Sequence, residues 1–251
     1  MSVRAYLRSP VARGWTLAAI LAIGATVAAG WQLAVALASN TVIADAAFLD
    51  GLGAILLVAV VAGAVLTVAA AVWLPCSAAI AYAVGRRVRG RPAAVWETTG
   101  VVRARSEPLY RWAKTLVAIG PIADRILTEA DTAPTEIAAG CGGFVVPAIA
   151  LDAATLPSAV ERANRVVPQP GRQRVQLSGL AGTAILAAGF GWLAAVTGTA
   201  APALPAGVAV PTPPVAVVAA AVVGLVVTAA VDAAWRAGAY AGADPDSGFA
   251  R

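Results

Sequence analysis

From Gly51 to Gly85 the chain runs for 35 residues without a charged side chain. At 1.5 Å per residue a helix of that length extends about 52 Å, against a hydrocarbon layer of about 30 Å. The run therefore predicts a membrane helix that overshoots the bilayer. Pro75 lies inside it and is expected to kink it, because proline lacks the amide hydrogen that the helix ladder needs. Cys76 to Val84 is then expected to emerge among the headgroups on one side. Gly14–Ala38 and Val175–Ala201 are also uncharged, and Val215–Ala230 opens a further apolar stretch that continues into Val231, Asp232 and Arg236. The composition explains why no soluble alternative competes. Residues are 60% hydrophobic and 12% charged, where a soluble domain carries about 25% charged residues. Too few polar side chains remain to cover the surface of a water-soluble enzyme of this size.

Simple counts remove other classes. The chain has no histidine, which excludes His metal sites, His general bases and Ser-His-Asp triads. Two cysteines, Cys76 and Cys141, cannot build a four-thiolate zinc or iron–sulfur site within one chain. Both lie in apolar surroundings and are expected to be free thiols. No GxSG serine motif or Walker-type phosphate loop is present. The expectation is a chain that is not an enzyme and holds no cofactor or metal. The net charge of +5 does not point to nucleic acid, because the charges are distributed as membrane topology requires.

That distribution sets the expected orientation, since Lys and Arg concentrate in cytoplasmic loops. Arg4, Arg8 and Arg13 place the N-terminus inside. Asp45 and Asp50 mark an outside loop. Arg86, Arg87, Arg89, Arg91, Arg103, Arg105, Arg111 and Lys114 mark a basic cytoplasmic connector over residues 86–109 and just beyond, with a short amphipathic helix near Pro92 and Trp96 lying against the membrane. Glu129, Asp131 and Glu136 mark the outside again, and Arg162, Arg165, Arg172 and Arg174 the inside. Signs alternate at every connector if Tyr110–Leu127 and Glu136–Leu156 also cross. These two segments carry Lys114, Asp124, Arg125 and Asp152, so they are weaker spans than the other four. The expected fold is one all-α polytopic domain over 1–251, with about six membrane helices, the second long and kinked. Both termini face the cytoplasm, in a cell membrane.

A second topology competes. Arg111, Lys114 and Arg125 fall on one stripe of a helix, as on a helix lying at the surface. Four spans with an interfacial hairpin would result. Ala36-Leu37-Ala38 before Ser39 resembles a signal-peptidase site, but the preceding apolar stretch is too long for a signal core of about 7–15 residues. It is read as the first anchor.

Leu74 to Arg165 resembles a family of uncharacterised prokaryotic multi-span membrane proteins, a domain of unknown function. The similarity lies in LPCSAAIAYAVGRRVRGRPAAVWE, then YRWAKTLVAIGPIADRI with its glycine at Gly120, then GGFVVPAIALDAATLPSAVERA, and in the ending AAWRAGAYAGADPDSGFA. Gly140-Cys141-Gly142-Gly143 departs from the bulkier residues expected there. The motifs are short, though together they cover most of the chain. The resemblance implies a six-helix membrane domain and transfers no activity or catalytic residue.

Charges inside spans are the natural site candidates. Asp232 and Arg236, four residues apart, can pair on one helix face. Lys114 is the candidate for a bridge to Asp232, and Arg125 can pair with Glu129. Small residues such as Gly24, Ala28, Ser178, Gly182 and Gly189 allow helices to approach closely or to form a homo-oligomer face. The basic connector is expected to meet anionic lipid headgroups. The functional expectation is a non-catalytic structural component, or a subunit of a membrane assembly with another membrane protein or a second copy. The alternative is a small-solute transporter or channel, with helices broken at Gly120-Pro121 and at Gly142–Pro147 around a cavity.

Overall fold

The computed structural model describes residues 2–38, 52–116, 142–166 and 213–243. Every described secondary-structure element is a helix: α1 Ser2–Leu7, α2 Pro10–Ala38, α3 Leu52–Val88, α4 Val95–Ala104, α5 Ser106–Leu116, α6 Gly142–Leu151, α7 Leu156–Val166 and α8 Pro213–Ala243. Three of them, α2, α3 and α8, are long and apolar enough to cross a membrane. A fourth crossing is counted if α6 and α7 form one bent span.

Helix ends follow from local sequence. Ser9 caps α2, its hydroxyl oxygen accepting the Ala12 amide at 3.3 Å, and Pro10 follows at the first helical position, where its missing N–H costs nothing. The long α3 stops at Gly90, which has φ +76°. Its neighbours close the turn: the Gly90 amide donates to the Arg87 carbonyl at 3.1 Å and the Arg91 amide to the Arg86 carbonyl at 2.9 Å. That pairing needs a left-handed residue, which glycine supplies without steric cost. Pro92 then prevents the helix from resuming.

The central element is α3, which packs on α2, α8, α6, α4 and α5. Its two halves meet different surroundings. Leu56, Val60, Leu66 and Val68 are exposed, as are Leu17, Leu21, Trp31 and Leu33 on α2 and Leu225 on α8. Ala78 to Ala81, Ala83 and Val84 are buried to within 1% exposure. The buried half is sheathed by the short helices, whose inward side chains include Leu109, Trp112, Phe144, Val145, Ile149 and Val160, and by Tyr240 near the end of α8. Among the described residues, one end thus has three long apolar helices side by side with much of their surface exposed, and at the other end eight helices share a core. Exposed apolar surface on helices long enough to cross a membrane is what lipid accommodates, since there the hydrophobic effect does not require it to be covered.

Pro75 lies inside α3, which is helical from Leu52 through to Val88. The carbonyl that a proline at 75 leaves without its amide is that of Ala71, and the Tyr110 hydroxyl donates to it at 3.4 Å. The Ser77 hydroxyl donates to the Leu74 carbonyl at 2.7 Å. Side-chain donors re-satisfy the backbone around a membrane proline, so the helix persists. Pro147 likewise lies inside α6, which runs unbroken from Gly142 to Leu151. Between α6 and α7, at Asp152–Thr155, the axis turns by 116°. The described part of Glu136–Leu156 is therefore a ten-residue helix of about 15 Å, half a crossing.

Among the described residues, helices approach closely at Gly30 and Gly85. A Cβ at Gly24 would meet nothing, whereas one at Gly30 would overlap Val65 of α3, and one at Gly85 would come within 2.5 Å of Leu151. Ser178, Gly182, Gly189, Gly120, Pro121, Arg125, Glu129 and Cys141 lie outside the described residues. Cys76 is a buried free thiol.

Candidate functional site at the charged end of the bundle

The described charged groups that are largely shielded gather where α3, α4, α6 and α8 converge. Arg89, in the turn after α3, meets Asp152, in the turn after α6, through two parallel hydrogen bonds of 2.7 and 2.8 Å. Both side chains are mostly covered, at 17% and 13% exposure. The planar guanidinium matches both carboxylate oxygens at once, the strongest geometry available to a neutralised pair. Burial alone would raise the Asp152 carboxyl. The hydrogen bonds and charge of Arg89, a hydrogen bond with Tyr240 and the charge of Arg162 outweigh burial and hold it below the ordinary carboxylate value.

A second arginine reaches the same bend. Arg105, between α4 and α5, donates to the Ile149 carbonyl, one of the last four in α6. These carbonyls have no partner within their helix and carry the negative end of its dipole. The Asp152 and Ala153 amides both donate to the Ala148 carbonyl, at 3.0 and 2.9 Å. The end of α6 is thus closed by two arginines from outside it and two amides from the following turn.

Beside this clamp, Glu97 of α4 accepts a hydrogen bond of 2.6 Å from the Tyr82 hydroxyl and lies 3.2 Å from Arg86. The Tyr82 hydrogen bond is the main reason its carboxyl sits low; burial opposes it and the charge of Arg86 adds to it. The Arg86 guanidinium also stands 5.8 Å above the Tyr82 ring.

Further along α8, Arg236 Nε donates to Asp232 at 2.6 Å, the i,i+4 pair expected from sequence. The bridge from Lys114 to Asp232 is not formed. Lys114 is exposed on α5, because the buried face of that amphipathic helix is taken by Leu109 and Trp112. Arg236 instead lies over α6: a Cβ at Gly143 would overlap its guanidinium. Gly142 faces Trp112, 3.5 Å from a would-be Cβ. The glycines of this segment, a departure from the resembled family, are where α6 meets its neighbours.

Sequence reasoning found Asp232–Arg236 and missed Arg89–Asp152, Arg105–Ile149 and Tyr82–Glu97. One signal was available. Asp152 closes an apolar run with no base within four residues, so it needed a distant cation. Which of the connector arginines would supply it depends on a contact across 63 positions.

A cavity of about 160 Å³ lies on the other side of α4, against Leu74 and Pro75 of α3. Among the described residues, no group of three or more Cys, Asp or Glu side chains could hold a metal ion. No protein-family model, curated protein or solved structure matches the chain.

Proposed function

We propose that this chain is a multi-pass membrane protein acting as a non-catalytic structural subunit of a membrane assembly. The single observation that supports the reading is how the shielded charges are spent. Arg89 is held by Asp152, Arg236 by Asp232 and Arg86 by Glu97, each linking or bracing helices rather than facing a cavity. Groups arranged for transport or acid–base work present an ionisable side chain to a path or a substrate. The bare apolar faces of α2, α3 and α8 offer surface for lipid or for neighbouring helices. In this reading the basic end is cytoplasmic, with both termini inside, following the arginine distribution. The resemblance to the multi-span family fits the same reading and brings no activity with it.

One feature favours a transporter as a second reading. The 116° break between α6 and α7 is the kind of discontinuous helix that forms substrate sites.

A double-mutant cycle on Asp232 and Arg236 separates the two. For a structural pair, Asp232→Ala destabilises the detergent-solubilised chain more than Asp232→Ala/Arg236→Ala does, because only the single change strands a charge. For a transport site, Asp232→Asn keeps the fold and removes an ion- or pH-dependent thermal stabilisation seen in the wild type. The subunit reading further expects the full chain, extracted in native nanodiscs, to migrate with a stoichiometric partner or second copy. Recovery as a 25.0 kDa monomer would overturn it.

A further inference from the structure

We infer that the cavity between α3, α4 and α5 seats one anionic phospholipid, its acyl chain against Pro75 and its headgroup on Arg103. The inference rests on the reading of the chain as a membrane protein, and not on its having a partner.

The floor of the cavity is apolar: Leu74, Pro75, Val102 and Leu109. On α3, Leu74 of the cavity continues the stripe of Ala71, Val68 and Ala64, which follow at three- and four-residue spacing and are all exposed. An acyl chain lying in the cavity is thereby continuous with the lipid-facing part of α3. Nothing in that stripe is charged.

The rim decides the headgroup. Thr99, Arg103, Ser106 and Tyr110 stand around the opening. The three hydroxyl protons are already given to carbonyls: Thr99 to Val95 at 2.9 Å, Ser106 to Arg103 at 3.0 Å and Tyr110 to Ala71 at 3.4 Å. The donors left on the rim belong to the Arg103 guanidinium, which is exposed and has no acidic partner among the described residues. The nearest acids are committed elsewhere. Glu107 binds Arg111 at 2.8 Å, and Glu97 holds Tyr82 and Arg86. The rim is therefore a cation beside an apolar slot, at the junction where α3 passes from bare to buried. A phosphodiester oxygen suits a guanidinium well, and the combination of chain and anion describes an anionic phospholipid rather than a soluble phosphate.

The test is native mass spectrometry of the full chain released from detergent, after mixing with phosphatidylglycerol or phosphatidylcholine. Wild type should retain phosphatidylglycerol about fivefold more than phosphatidylcholine, the preference that one basic residue facing an anionic surface confers. Arg103→Gln should abolish that preference, and Arg91→Gln, an exposed cation away from the cavity, should leave it intact. Val102→Trp should reduce retention of both lipids by filling the slot. Ser106→Val is read beside it, so that misfolding of the tryptophan variant does not decide the result. It retains the slot and should keep the preference. Inorganic phosphate should not compete at millimolar concentration. Equal preference in Arg103→Gln, equal losses in Arg91→Gln and Arg103→Gln, or displacement by phosphate would each overturn the inference. A monomeric chain that still shows the preference would leave it standing while removing the subunit reading.

Discussion

Arg89 and Asp152 are 63 residues apart and share two hydrogen bonds, so the end of α3 and the end of α6 are fixed to each other at a single point. The apolar α6 packs on α3 with Phe144, Val145, Ala148 and Ile149 almost fully buried. Packing alone would let a short apolar helix slide, because one small side chain fits the groove of another nearly as well. The bidentate pair has one solution and sets the register of α6 against α3.

Breaking that pair from one side leaves a shielded charge without its partner. Asp152→Ala and Arg89→Ala should each destabilise the protein by about 3 kcal/mol. Arg89→Lys should recover only part of the loss, since an ammonium cannot meet both oxygens in parallel. Unfolding in detergent titrated with SDS provides the measurement. Additive losses in the Asp152→Ala/Arg89→Ala double variant would show that the two side chains act independently.

Acid should weaken the same contact. The Asp152 carboxyl titrates below its ordinary value in the folded chain. Such a group stabilises the fold above its unfolded pKa, about 3.9, and the contribution is lost as the pH falls through the lower folded value. Wild type should hold its melting temperature from neutral pH to about 5 and lose it below 4. Asp152→Asn should start lower and show a shallower acid slope. Identical slopes for the two proteins would remove Asp152 from the account. Glu97, also held low, supplies the remaining slope expected in the variant.

At Gly143 the expected effect is steric. The Arg236 guanidinium occupies the space of a Cβ there, so Gly143→Ala must shift the end of that side chain and strain its bond to Asp232. The cost should be about 1 kcal/mol, the low end for overpacked contacts, because the flexible end of the arginine gives way. In an Asp232→Ala/Arg236→Ala background the same change should cost almost nothing, because the obstructing side chain is gone. A differential scanning fluorimetry comparison of the four proteins reads this directly.

Tyr110 and Pro75 should be coupled through a carbonyl that neither side chain owns. Tyr110→Phe removes the donor to the Ala71 carbonyl and should cost about 1 kcal/mol. Pro75→Ala returns a backbone amide to that carbonyl. On the Pro75→Ala background, Tyr110→Phe should be close to neutral. An equal cost on both backgrounds would show that the hydroxyl contributes through packing alone.

The helical class, the apolar runs that become α2, α3 and α8, and the i,i+4 pair of Asp232 and Arg236 were all readable along the chain. Each is a property of consecutive residues: length without charge, or a spacing of one helical turn. The end of α3 was equally local, since Gly90 and Pro92 dictate it. Tertiary structure decided what proline does. Pro75 and Pro147 both sit inside helices, and at Pro75 the Tyr110 hydroxyl reaches the carbonyl that the ring leaves unpaired. It also placed a bend at Asp152–Thr155, and chose Arg89 and Arg105, out of a connector full of arginines, to close α6. A charge in an apolar segment announces that it needs a partner. Which partner it meets is set by how α3, α4 and α6 pack in three dimensions, and no local spacing encodes that.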